Sequence, residues 1–127
     1  MTTIPDSLHY TKEHEWIRVE GDVATIGITD YAQGELGDIV YVTLPNKGNE
    51  VRQMAAFGTV EAVKTVSDLY APVSGTIIDV NAALNDAPDS VNKSPYEAGW
   101  MIKVKMSAPA ELEGLLSSAA YKELIGS

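Results

Sequence analysis

The chain has 127 residues, with 18 acidic against 9 basic side chains and a net charge of -9. That excess disfavours nucleic acid and anionic membrane surfaces as partners and suits a basic protein or a cationic ligand. No cysteine is present, which excludes disulfides, thiolate metal sites and a cysteine nucleophile, so any redox chemistry must be brought in.

Residues 1 to 8, with Pro5 and Asp6-Ser7, read as an extended leader ending in a turn. His9 to Val19 and Val23 to Ile28 flank Glu20-Gly21-Asp22 and predict a first hairpin, with Trp16 and Ile26 pointing inward. Thr29-Asp30 is a helix N-cap signal before Tyr31 to Leu36, and Gly37 stops that helix after one or two turns. Asp38 to Leu44 is β-branched and aromatic and ends at Pro45-Asn46-Lys47-Gly48, which predicts a strand with a buried face.

Beyond the lysine-bearing stretch at 58–75, Thr76 to Asn81 predicts a strand, and the Asn/Asp-rich run Ala82 to Asn92 a loop with a helical turn. Trp100 to Met106 alternates, with Trp100, Ile102, Val104 and Met106 on one face and Lys103 and Lys105 on the other. Residues 109–125 predict a C-terminal helix, in which Leu112, Leu115, Leu116, Ala119 and Ile125 form a stripe packed on the sheets and Gly126 is the stop. No domain boundary or low-complexity segment interrupts 1–127, and one domain of this size buries roughly two thirds of its unfolded surface. No apolar run approaches the ~20 residues of a membrane span. The N-terminus lacks signal-peptide and transit-peptide patterns, so a cytoplasmic location is expected.

The organising stretch is Gly58 to Gly75. Val60 and Ala62 alternate with Thr59 and Glu61; after the polar break, Leu69, Ala71 and Val73 alternate with Asp68 and Tyr70. Strand, break and strand predict a hairpin with Lys64 at its exposed tip. A lysine so held can carry a tethered group, although lysine is also common in ordinary surface turns.

The run Val60-Glu61-Ala62-Val63-Lys64-Thr65-Val66-Ser67-Asp68-Leu69-Tyr70, closed by Ala71-Pro72-Val73-Ser74-Gly75, resembles the lipoyl attachment segment of the glycine cleavage system H proteins. Thr65 departs mildly from the alanine usual there. The Val63-Lys64-Thr65 tip differs from the Asp-Lys-Ala of acyltransferase lipoyl domains and the Met-Lys-Met of biotin carriers. The resemblance extends through His14-Glu15-Trp16, Gly27-Ile28-Thr29-Asp30-Tyr31-Ala32-Gln33, Leu36 to Val42, and Tyr96 with Gly99 to Lys105. It is weakest over Val51 to Phe57, at the entry to the hairpin.

The resemblance implies a mainly β fold: a lipoyl/biotinyl-type flattened barrel or sandwich of two antiparallel sheets, with short helices and the C-terminal helix. It implies lipoate joined covalently to Lys64, and a carrier that catalyses nothing alone. Its partners would be a pyridoxal-phosphate glycine decarboxylase, which loads an aminomethyl group, and a tetrahydrofolate aminomethyltransferase, which removes it. A FAD-dependent dihydrolipoamide dehydrogenase would reoxidise the arm, and a lipoylating enzyme would attach it. By motif position, Glu15 and Asp68 would hold the amine in a surface cleft, and Glu61, three residues before the lysine, would be read by the lipoylating enzyme. Each has a plainer reading: Glu15 as a solvated strand carboxylate, Asp68 as hairpin punctuation, Glu61 as a solvent-facing strand residue.

The same modified lysine would also serve a protein that relays lipoyl groups to others. An unmodified interaction domain on the same fold is the third reading. His9 and His14, read on one strand, fall on opposite faces with no supporting cluster, so neither a metal site nor a catalytic base is expected.

Overall fold

The computed structural model describes residues 3–126. The chain order is β1 (His9–Tyr10), β2 (Glu15–Glu20), β3 (Val23–Ile28), helix α1 (Asp30–Leu36), β4 (Ile39–Thr43), β5 (Glu50–Val51), β6 (Ala56–Ala62), β7 (Val66–Tyr70) and β8 (Gly75–Val80). Then come a 3-10 turn (Ala82–Asn85), α2 (Ser90–Lys93), β9 (Ile102–Met106), a 3-10 helix (Pro109–Gly114) and α3 (Ser118–Ile125). Six strands form one sheet in the order β1-β2-β3-β9-β8-β5, and β4-β6-β7 form a second. All pairings are antiparallel. The two-sheet architecture expected from the resemblance is the one observed.

Register follows from the apolar alternation. In the large sheet Ile17, Ile26 and Ile102 lie opposite one another, as do Ala24, Val104 and Ile77, so both rows face one interior. There they pack with Ala71 and Val73. A second cluster, built on Val42, Val60, Ala62 and Leu69, lies under the small sheet with Ile28 and Ala32; Leu44 and Phe57 touch both clusters and join the sheets. Trp16 and Ile26 are fully buried, as the alternation required.

Four expectations need correction. The second strand of the lysine hairpin ends at Tyr70; Ala71 to Ser74 is irregular chain that crosses between the sheets, which explains its buried apolar residues. The alternation of the last strand holds only from Ile102, because Met101 is buried in the second cluster and Trp100 is half-buried beside the third. The C-terminal helix over 109–125 is two helices. Leu116 leaves the helical path to exchange both backbone hydrogen bonds with Tyr10, at 2.9 and 2.8 Å, and the edge of β1 thereby wins over helix propagation. The expected stripe does pack: Leu112 and Leu115 lie half-buried against the first cluster and Leu116 and Ile125 against the third, whereas Ala119 is exposed and Tyr121, outside the stripe, is fully buried. Finally, His9 and His14 share no strand. His9 lies in β1, and His14 ends the turn before β2 with φ +68°.

Residues 3–5 are irregular and 6–8 form a turn, and the segment is packed. Ile4 and Leu8 are buried in a third cluster with Tyr10, Trp16, Tyr96 and Tyr121, and the Thr3 N–H donates to Asp30 Oδ2 at 2.8 Å. Met1 and Thr2 lie outside the described residues.

Candidate functional site

The tip of the β6–β7 hairpin is a tight turn, Ala62-Val63-Lys64-Thr65, closed by the Ala62 N–H donating to Thr65 O at 2.7 Å. It is braced from the side. Ile39 of β4 pairs with Ala62, and the Val63 N–H donates to Asp38 O at 3.1 Å, so support runs to the residue before the lysine. Lys64 is exposed and makes no ion pair among the described residues. The end of its side chain passes over Gly37, the left-handed stop of α1 at φ +85°; a Cβ there would lie 3.3 Å from Lys64 Cε.

Gly37 connects the tip to a cleft of about 210 Å³, because the preceding residue, Leu36, lines it. Ile28, Val60 and Leu69 supply apolar surface to the cleft, and Glu13, Glu15, Glu35 and Asp68 supply carboxylates. His14 and Tyr31 complete the walls.

The elements explain this assembly. β2 starts at Glu15, directly after the turn carrying His14, and α1 follows β3 through the Thr29 cap, whose hydroxyl accepts from the Ala32 N–H at 3.1 Å. The His14 and Thr29 backbones meet where the Thr29 N–H donates to His14 O at 3.0 Å. Asp68 comes from β7, so three elements distant in sequence contribute acids to one depression.

Glu15 is only 2 % exposed. Its Oε1 accepts from the Thr11 hydroxyl at 2.6 Å and its Oε2 from the Tyr70 N–H at 3.4 Å. Burial pushes its pKa from the ordinary 4.5 up to about 8, against the opposing pull of those hydrogen bonds. Burial therefore favours the protonated form of Glu15 well above the ordinary carboxylate range. The reading of Glu15 as a solvated carboxylate is overturned; Asp68 is exposed at the rim.

Glu61 stands apart from the cleft. It lies on the outer face of the small sheet, opposite Tyr41 on β4 and Val66 on β7, and all three are exposed.

Sequence reasoning missed four cleft residues: Glu13, His14, Tyr31 and Glu35. It also missed Tyr121, whose hydroxyl lies 2.8 Å from both His14 Nδ1 and Thr29 Oγ1. The adjacency of His14 to Glu15 was the available signal, but it was read with strand geometry that His14 does not adopt.

A profile of the glycine cleavage H-protein family matches residues 8–127. The chain belongs to that family. Glycine cleavage system H proteins of Staphylococcus carnosus and Staphylococcus haemolyticus are each 57 % identical to it over 123 residues, covering 97 % of this chain and 98 % of theirs. The crystal structure of a glycine cleavage system H protein from Mycobacterium marinum superposes with a TM-score of 0.90 at 41 % identity, over 98 % of this chain and 100 % of that one. Glycine cleavage H proteins are the lipoyl carriers of the glycine cleavage system, with lipoate held covalently on a lysine. No helix among the described residues of this member is long and apolar enough to cross a membrane.

Proposed function

We propose that Lys64 is the lipoylated lysine of this carrier, and that Glu15 and Asp68 hold the cationic amine cargo in the adjoining cleft. The observation that carries this reading is an unpaired lysine on a braced turn, next to a cleft with an apolar floor and acidic walls. These residues fit a lipoyl group: the amine is accessible for amide formation, and the cleft suits an aliphatic arm that ends in a cation.

Bound there, lipoate would supply a dithiolane that opens to carry a one-carbon amine and is later reoxidised. The rest is the work of the chain. Lys64 would give reach, letting docked partners meet the same group at an effective concentration on the order of millimolar. Those partners are the glycine decarboxylase, the aminomethyltransferase and the dihydrolipoamide dehydrogenase.

Glu15 would answer the cargo's charge. A cation entering the cleft favours the carboxylate, so the Glu15 pKa falls and its proton leaves as an ion pair forms in surroundings of low polarity. Asp68, exposed at the rim, acts through solvent and contributes less. An amine kept protonated has no free lone pair with which to expel the sulfur that bears it. Glu61, set between Tyr41 and Val66 on the outer face, would be read by the lipoylating enzyme.

The test is intact mass and peptide mapping after incubation with a lipoylating enzyme and lipoate. One lipoyl group on the Lys64 peptide is expected, with none on K64R. Modification elsewhere, or none, would refute the assignment.

A further inference from the structure

We propose that Tyr121, on the C-terminal helix, is a positioning residue that holds His14 in the cleft wall as a neutral imidazole protonated on Nε2. The proposal rests on the reading of the cleft as the seat of a cationic amine.

Proton counting along one hydrogen-bond chain carries the argument. Thr29 is fully buried and its Oγ1 already accepts from the Ala32 N–H. Among the described residues, the one hydrogen-bond partner left for the Thr29 hydroxyl proton is Tyr121 Oη, at 2.8 Å. Tyr121 is fully buried too, and its own proton must then go to His14 Nδ1, at 2.8 Å. An Nδ1 that accepts carries no proton, so the ring proton resides on Nε2. Charging His14 would reverse the chain and leave the Thr29 proton unpaired in a buried place.

The geometry is held from several sides. Tyr121 stacks on Tyr10 with centroids 4.8 Å apart and planes within 9°. The His14 ring meets Tyr121 edge-on at 5.7 Å and lies 5.1 Å from Tyr31. The backbone of His14 sits at φ +68°, a conformation a non-glycine residue keeps only when its surroundings enforce it.

The charged and titratable groups around His14 come from every neighbouring element: Glu13 and Glu15 beside it in the chain, Tyr31 and Glu35 on α1, Asp68 across the cleft and Tyr121 on α3. The nearby carboxylates favour a charged imidazole; burial outweighs them and lowers the His14 pKa. A charged His14 would repel an ammonium in the same cleft, lower that amine's pKa and free its lone pair. Loss then proceeds from the neutral amine, whose lone pair expels the sulfur as the C–S bond breaks and water adds to the carbon: R–S–CH2–NH2 plus water gives R–SH, formaldehyde and ammonia.

The experiment compares wild type, Tyr121→Phe and Tyr10→Phe, because both substitutions keep the stacked rings and only Y121F cuts the chain to His14. Imidazole 15N NMR on the unlipoylated proteins reads tautomer and pKa. Wild type and Y10F should show the Nε2–H tautomer titrating below 6.5. In Y121F the tautomer should mix and the pKa rise by about one unit, roughly tenfold more charged ring at a given pH. A proton on Nδ1 in wild type, or equal spectra for Y121F and Y10F, overturns the proposal.

The second arm measures ammonia release from lipoylated protein loaded from glycine by the decarboxylase. Y121F should release several-fold faster than Y10F at pH 6, with the gap closing at pH 8. Equal profiles overturn the positioning role even where the tautomer is as stated. Wild-type release as fast as that from free aminomethyl-dihydrolipoamide would refute the cleft reading itself, and the positioning role with it.

Discussion

The buried carboxyl of Glu15 sets a pH dependence of stability that can be worked out in advance. Its folded pKa is raised to about 8 from an ordinary 4.5. The folded state therefore binds the proton more tightly than the unfolded chain, and the associated stability is fully present below pH 4.5. It declines as pH rises and is lost by the time pH passes the folded value. Each unit of separation is worth about 1.4 kcal/mol, so by pH 7 the unlipoylated protein should have lost roughly 3 kcal/mol through this group, with a further decline to about pH 8. Glu15→Gln keeps the shape and an oxygen for the Tyr70 N–H while removing the titration. Urea denaturation between pH 5 and 9 measures the difference. E15Q should match wild type within about 1 kcal/mol near pH 5 and exceed it by several kcal/mol near pH 9. Parallel curves across that range would mean that Glu15 titrates as a solvated carboxylate, and the account of its burial would be wrong. The same variant, once lipoylated and loaded, should lose its amine cargo faster, because glutamine cannot ionise to meet it.

The other predictions concern the lysine hairpin and the start of β8. Glu61→Gln should lower the initial rate of lipoylation at Lys64 while leaving stability within about 0.5 kcal/mol of wild type, since its side chain is exposed. Equal lipoylation rates would remove Glu61 as a recognition element. Gly75→Ala should cost more than about 3 kcal/mol in denaturant titration, because its Cβ would fall 2.0 Å from Lys105 O on β9 and 2.7 Å from Val104 Cγ1. A loss below about 1 kcal/mol would show that β8 and β9 can part to admit a methyl group.

Much of the fold was legible because its strands and first helix are written in local chemistry. The alternation at Val60, Ala62 and Leu69, the Thr29 cap and the Gly37 stop each act within a few residues, and the hairpin with Lys64 at its tip followed from them. Where local preference competed with a long-range partner, the partner won. Leu115 and Leu116 sit at helical spacing, but the backbone of β1 captured Leu116; Met101 continued a strand pattern on paper and was drawn into the second cluster.

The lysine at an exposed turn and the acidic excess were properties of the sequence by itself, because a turn needs only neighbouring residues and charge needs only counting. The cleft was decided by tertiary structure alone. It gathers side chains from the turn before β2, from α1 and from β7, and its wall is bonded to a tyrosine far along the chain, Tyr121 lying 107 residues after His14. The Glu15 pKa near 8 belongs to that assembly, since the dielectric around a carboxyl is set by what packs over it and no short stretch of sequence encodes that.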